Sequence, residues 1–275
     1  MVSVRQELKE HALKPRKRWG QHFLVDRNVL GKVIRTAQVR PEDVVLEVGP
    51  GLGEMTEHLA CLARRVIAVE IDPKLVAILG RKMEAHPNLE LIQKDILEVD
   101  FETLLGREDR RVKVVANLPY QISTPLIFRF IDSKKLFSTL TLTLQREVAD
   151  RMGARPGGKD YGPLTVLIQS FADPSIRFYI KPTAFFPPPR VESAVISVTW
   201  KERPIVASGE EAWFKSVVRG CMGYRRKTLI NALKHSALSL PADVEHRVGR
   251  VGIDPRRRPG TLTPEEFATL ARALS

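Results

Sequence analysis

Asn117-Leu118-Pro119-Tyr120 joins a side-chain amide, a stiffened turn and an aromatic ring within four residues. The preceding apolar run, Val112 to Ala116, reads as a buried strand, so the four residues fall at its carboxyl end. That combination suits the holding of a flat base that bears an exocyclic amine. The Asn117 side-chain oxygen and the Leu118 carbonyl each accept a hydrogen bond from the amine, while Tyr120 stacks on the ring. The amine lone pair is otherwise delocalised into the purine. Two acceptors that draw on its protons push it toward an electrophile. Asn and Pro also end strands as plain turn residues, so the upstream sequence has to decide between the two readings.

Upstream, an apolar run at Val44–Val48 leads into Glu47-Val48-Gly49-Pro50-Gly51-Leu52-Gly53. Glycines such as Gly49 and Gly51 between a strand and a helix let the backbone approach a ligand closely. A dinucleotide fingerprint would need its third glycine at position 54, which is Glu54. A carboxylate there would repel a pyrophosphate, whereas it does no harm beside a cationic or zwitterionic ligand. The spacing suits S-adenosylmethionine, which carries a sulfonium and no phosphate. Glu70 ends the second strand, 21 residues after Gly49, where an acid can take ribose hydroxyls. Asp95 follows the third strand and is placed to accept from an adenine amino group.

The elements that would position these groups alternate. Apolar runs at Val44–Val48, Val66–Glu70, Leu89–Gln93, Val112–Ala116 and Thr139–Leu144 interleave with helical stretches at Glu54–Leu62, Lys74–Ala85, Pro125–Ile131 and Glu147–Met152. That pattern predicts an α/β fold, a Rossmann-like parallel sheet with helices on both faces. Ile176–Ile180 and Ala194–Thr199 flank a proline-rich loop and are expected to pair at the sheet edge. After Trp200 no strand follows. Helices are expected at Glu210–Met222, Lys227–Ala237 and Ala242–Val251, and one opens at Thr263-Pro264-Glu265-Glu266 with a capping box. The expected domains are 1–200, including a basic arm at 1–19, and a small all-α domain at 201–275.

With 43% hydrophobic and 28% charged residues, the composition is that of a globular protein, and no apolar stretch approaches a bilayer span. No secretory signal is read, Glu7 and Glu10 argue against a mitochondrial presequence, and the expected location is cytoplasmic. Cys61 and Cys221 read as buried reduced thiols, and no metal site is expected. The net charge of +12 sits at the ends: residues 1–20 hold six Lys/Arg against two Asp/Glu, and residues 201–275 hold fourteen against eight. Arg16, Lys17 and Arg18 in the arm and Arg225, Arg226 and Lys227 near the other end are the candidate contacts to a polyanion. Each cluster read alone is equally a solvated face.

The chain resembles the rRNA adenine N6-dimethyltransferases, most closely those of the small subunit, from about Lys14 to the C-terminus. Gly20-Gln21-His22-Phe23-Leu24 resembles the family's N-terminal cofactor motif, and Glu47–Gly53 its glycine loop. Asn117–Tyr120 resembles its target-base motif. Phe185-Phe186-Pro187-Pro188-Pro189-Arg190-Val191-Glu192-Ser193 resembles its proline-rich motif, and Tyr224-Arg225-Arg226-Lys227-Thr228-Leu229 the small-subunit branch. The resemblance implies that S-adenosylmethionine contacts His22, Leu24, Gly49, Glu70, Asp95 and Asn117, and that adenine sits between Tyr120 and Phe185. Family members often carry Asn where this chain has His22. The three prolines make a rigid loop whichever of Phe185 and Phe186 faces the base.

The resemblance implies a monomer that dimethylates two adjacent adenines near the 3′ end of 16S rRNA in an immature small subunit. Competing readings are a large-subunit rRNA enzyme, a DNA adenine methyltransferase, and a non-catalytic assembly or transcription factor. The helical appendage offers little for major-groove readout, and a binding factor needs neither the cofactor acids nor Asn117.

Overall fold

The computed structural model describes residues 4–16, 19–82, 84–106 and 108–275, and for Arg5 the backbone alone. Two compact units form: residues 1–149 with 175–199, and residues 150–174 with 200–275.

The first unit is built on a seven-stranded sheet. Its strands are β1 (Val44–Val48), β2 (Arg65–Glu70), β3 (Leu89–Gln93), β4 (Val112–Asn117), β5 (Phe137–Gln145), β6 (Ala172–Ile180) and β7 (Ser193–Trp200), in the order β3-β2-β1-β4-β5-β7-β6. The first five are parallel, and β7 runs antiparallel to β5. All five residues of β1 are buried, as a strand covered on both faces requires. The edge strand β6 alternates instead. The chain reverses its strand order between β1 and β4, which opens a crevice at the carboxyl ends where ligands bind in such sheets.

Helices Glu54–Leu62, Pro73–Lys82 and Ser123–Asp132 follow β1, β2 and β4. Helix Arg27–Ala37 is absent from the sequence reading. Its N-cap is Asp26, whose carboxylate accepts from the backbone of Asn28 and Val29. A two-stranded ribbon pairs Phe23 with Phe186 and Leu24 with Phe185. It ties the N-terminal motif to the proline-rich loop. Helix Val4–Glu10 packs Val4 and Leu8 against Leu52 and Leu75.

The second unit is helical, with Glu211–Met222, Leu229–His235, Val244–Arg250 and Pro264–Leu274. The capping box at Thr263 and Glu266 is formed. The segment Asp150–Pro174, expected with the first 200 residues, groups here. Its helix Pro163–Phe171 is buried at seven of nine positions, and an apolar periphery of that kind must be surrounded. Phe171 meets Phe214 edge to face, with ring centroids 6.2 Å apart. Cys221 is buried, and burial pushes its thiol up to about 12. Cys61, expected buried, is exposed. Among the described residues no helix is long and apolar enough to cross a membrane.

Candidate functional site

A cavity of about 310 Å³ lies at the carboxyl ends of β1, β2 and β4, against the loop after β3. Its walls include His22, Leu24, Gly49, Gly51, Glu70, Asp95, Asn117, Leu118 and Tyr120. Residues from five separate segments therefore meet in one place, as a set of lone motifs could not guarantee.

Asn117 closes β4, and its Nδ2 donates to the His22 backbone oxygen at 2.9 Å. A carbonyl only accepts, so the amide is held with Oδ1 facing away from that contact. Neither Asn117 Oδ1 nor the Leu118 carbonyl takes a hydrogen bond from the described residues. The Leu118 N–H is fixed by the Thr143 oxygen at 2.9 Å, so the backbone that carries this second acceptor is held by the sheet. The Tyr120 hydroxyl lies 2.7 Å from Ser193 Oγ, and Ser193 is fully buried at the start of β7. Burial raises the Tyr120 phenol above its ordinary value, with the Ser193 contact opposing. The His22 ring stacks on Tyr120, centroids 5.4 Å apart and planes 27° apart. Its Nδ1 donates to the Pro187 oxygen at 2.7 Å. His22 thus serves the site through its backbone oxygen and as a brace between Tyr120 and the proline-rich loop.

The other end of the cavity is acidic. Glu70 Oε1 accepts from the backbone of Ile71 and Asp72, both at 2.9 Å, and Oε2 from Gly51 at 3.2 Å. Oε2 keeps a lone pair for a ligand hydroxyl. Burial raises the Glu70 carboxyl and these three N–H groups lower it. Asp95 borders the cavity, and its Oδ1 caps the turn at Leu97. Gly49 and Gly51 both have left-handed φ, +69° and +62°. A Cβ on Gly51 would come 3.1 Å from the Phe23 ring, whereas one on Gly49 would meet nothing within 4 Å, because that side faces open space.

Glu47 is the residue that sequence reasoning passed over. It is fully buried in β1 and borders the cavity, and neither carboxylate oxygen makes a hydrogen bond of good geometry among the described residues. Burial pushes its carboxyl up to about 8, against the nearby Thr56 hydroxyl, which lowers it, and with the Glu70 charge adding to the rise. Buried carboxyl groups without partners are costly, so a donor-bearing or cationic ligand answers a demand that the protein leaves open. The signal was visible as one acid in the otherwise apolar run of β1. These groups fit S-adenosylmethionine: Glu70 and Asp95 for its nucleoside, and the glycine loop and Glu47 for its charged end.

Other expectations change. Phe185 is 1% exposed and packs with Val33, Ile34 and Leu59, and neither it nor half-buried Phe186 borders the cavity. Pairing with Leu24 turns the Phe185 side chain into the core, so of the two expected aromatics only Tyr120 borders the cavity. Arg16 is partly exposed, its Nε 3.7 Å from buried Asp72 and its guanidinium 4.5 Å over Trp19. Lys17 and Arg18 lie outside the described residues. Gln21 also reaches Asp72, at 3.3 Å.

Arg225, Arg226 and Lys227 are exposed in a turn of the second unit. Arg225 donates to the Gly158 and Lys159 oxygens, and Gly157 N–H donates to Gly260 O at 2.7 Å. Three loops distant in sequence thereby form one surface that adds exposed Arg155, Lys159, Arg256 and Arg258 to the expected three.

A family model described as ribosomal RNA adenine dimethylase matches residues 12–274. The ribosomal RNA small subunit methyltransferase A of Geobacter metallireducens is 45% identical over 269 residues, 97% of this chain and 98% of that protein. A solved dimethyladenosine transferase from Plasmodium falciparum superposes with a TM-score of 0.76 at 27% identity, over 90% of this chain and 96% of that one. The 23S rRNA methyltransferase ErmE gives 0.68 at 27% identity, over 92% and 99%.

Proposed function

Because the chain belongs to the ribosomal RNA adenine dimethylase family, we propose that it dimethylates the N6 amine of adenines in small-subunit rRNA. The bases proposed are two adjacent adenines near the 3′ end of 16S rRNA. The proposed substrate is an immature small subunit in the cytoplasm, met by a monomer of this chain. The observation that carries the reading is the pair of unclaimed acceptors, Asn117 Oδ1 and Leu118 O, at the cavity wall beside the Tyr120 ring.

When bound, S-adenosylmethionine supplies an electrophilic methyl group. The chain supplies position and charge. Asn117 and Leu118 accept from the amine and increase electron density on its nitrogen. Tyr120 replaces the stacking that the base loses on leaving its helix. No strong base is required, since the amine proton is lost from a nitrogen that has become cationic. A once-methylated amine keeps one N–H, which either acceptor can hold for a second transfer. Glu70, Asp95, Gly49, Gly51, Leu24 and the Asn117 segment are the proposed cofactor contacts, with Glu47 added.

The large-subunit alternative is less well supported, because ErmE is 27% identical while the small-subunit relative is 45% identical. Naked DNA, naked 16S and 23S rRNA, and immature small subunits, each incubated with labelled S-adenosylmethionine, separate the readings. Dimethyladenosine formed in immature small subunits is the expected result. Methylation of DNA or of 23S rRNA alone would overturn it.

A further inference from the structure

Outside the cavity lining, the first unit carries an exposed aromatic ring that the chemistry above does not use. Tyr179 is the penultimate residue of edge strand β6 and is 47% exposed. The Arg146 guanidinium lies against its ring, 4.6 Å from the centroid. Arg146 is bound in turn to Glu192, by Nη1 to Oε2 at 2.7 Å and by backbone N–H to backbone oxygen at 3.0 Å. The next residue, Ser193, holds the Tyr120 hydroxyl. Three contacts therefore link the exposed ring to the ring that stacks on the target base. Gln145 faces Ser193 across β5 and β7, and Asn117 faces Thr143 across β4 and β5, so all of these groups lie at the same end of the sheet.

We propose that Tyr179, braced by Arg146, is a subsite for the base of the nucleotide adjoining the target adenine. The inference rests on the RNA adenine methylation reading. When an adenine is drawn into the cavity, its neighbour loses a stacking partner. An exposed aromatic ring restores that stack for any base, because every base has a π-face. With the guanidinium against it, Tyr179 still keeps 47% of its surface exposed. The pair with Arg146 neutralises Glu192. Arg177 and Arg190, exposed on the two segments that carry Tyr179 and Glu192, leave these segments cationic toward the phosphates on either side.

The test uses Tyr179→Ala, Tyr179→Leu and Tyr179→Phe in the full chain, with immature small subunits and S-adenosylmethionine as substrates. Loss of one base stack should raise KM for the subunit about tenfold in the Ala and Leu variants. Tyr179→Phe should stay near wild type, and kcat, cofactor affinity and Tm should be unchanged in the Leu variant. An unaltered KM in both Ala and Leu variants overturns the subsite. A loss confined to kcat also overturns it, since that would mean Tyr179 acts only by bracing Arg146 and Ser193. Should wild type fail to methylate subunits at all, the reaction assignment falls instead, which is a separate result.

Discussion

The Asn117 side-chain nitrogen donates to the His22 backbone oxygen at 2.9 Å, and this one contact decides which end of the amide is offered to a base. A donor facing the amine would repel it. Replacing Asn117 by Ala should lower kcat by roughly two to three orders of magnitude, the scale seen when a preorganised polar group at a reacting centre is removed. Folding should be little affected. His22→Asn keeps the backbone oxygen and should cost far less activity than Asn117→Ala. Equal losses in the two variants would place the essential group in the imidazole.

Tyr120 and Ser193 make a second separable pair. Tyr120→Ala removes the stacking ring and should abolish most turnover. Tyr120→Phe keeps the ring but leaves Ser193 Oγ buried without its partner, so stability should fall by about 1 kcal/mol while activity is largely kept. Thermal melts and turnover measured on the same preparations check both halves. A folded but inactive Tyr120→Phe enzyme would give the hydroxyl a role beyond its bond to Ser193.

Glu47 should make the ligand-free protein sensitive to alkali. Its carboxyl is raised from 4.5 to about 8 by burial. Between those values the folded chain holds a proton that the unfolded chain has released. Stability from this group is therefore fully present below pH 4.5 and declines as pH rises toward 8, by up to about 1.4 kcal/mol per pH unit. Glu47→Gln keeps the shape without titrating, so its Tm should gain on wild type steadily from pH 5 to pH 8. Parallel Tm curves would show that the carboxyl does not hold its proton.

Phe185 should behave as core. Phe185→Ala should cost about 3–5 kcal/mol of stability, the range for emptying a buried phenylalanine site. Phe185→Leu should recover most of that and retain turnover. If Phe185→Leu folds like wild type yet loses activity by orders of magnitude, the ring reaches the base after all.

Replacing Arg225, Arg226 and Lys227 together should reduce the salt dependence of subunit binding by up to about three phosphate contacts. Cofactor affinity should not move, because the proposed cofactor contacts belong to the first unit. Wild-type methylation rates in the triple variant across a salt series would remove this surface from docking.

The sheet and the cavity were legible in the sequence for a local reason. The largely buried runs of β1, β2, β4 and β5, the half-buried edge strand β3 and the helices between them bury one face or both, and burial writes a period into the residues. Gly49, Glu70, Asp95 and Asn117 stand at strand ends, so knowing the strands was enough to bring them to one edge. Helix Pro163–Phe171 escaped because it is apolar nearly all round and shows no period, and with it went the grouping of Asp150–Pro174 with the helical unit. Tertiary structure alone decided the direction of each side chain that leaves a loop. Phe185 and Phe186 are adjacent and chemically alike, and only pairing with Leu24 and Phe23 turns the first into the core. Likewise, residue types announced an amide and an imidazole at 117 and 22. Which atom of each faces the other is set by a contact across 95 residues of chain, and no local pattern encodes a contact of that kind.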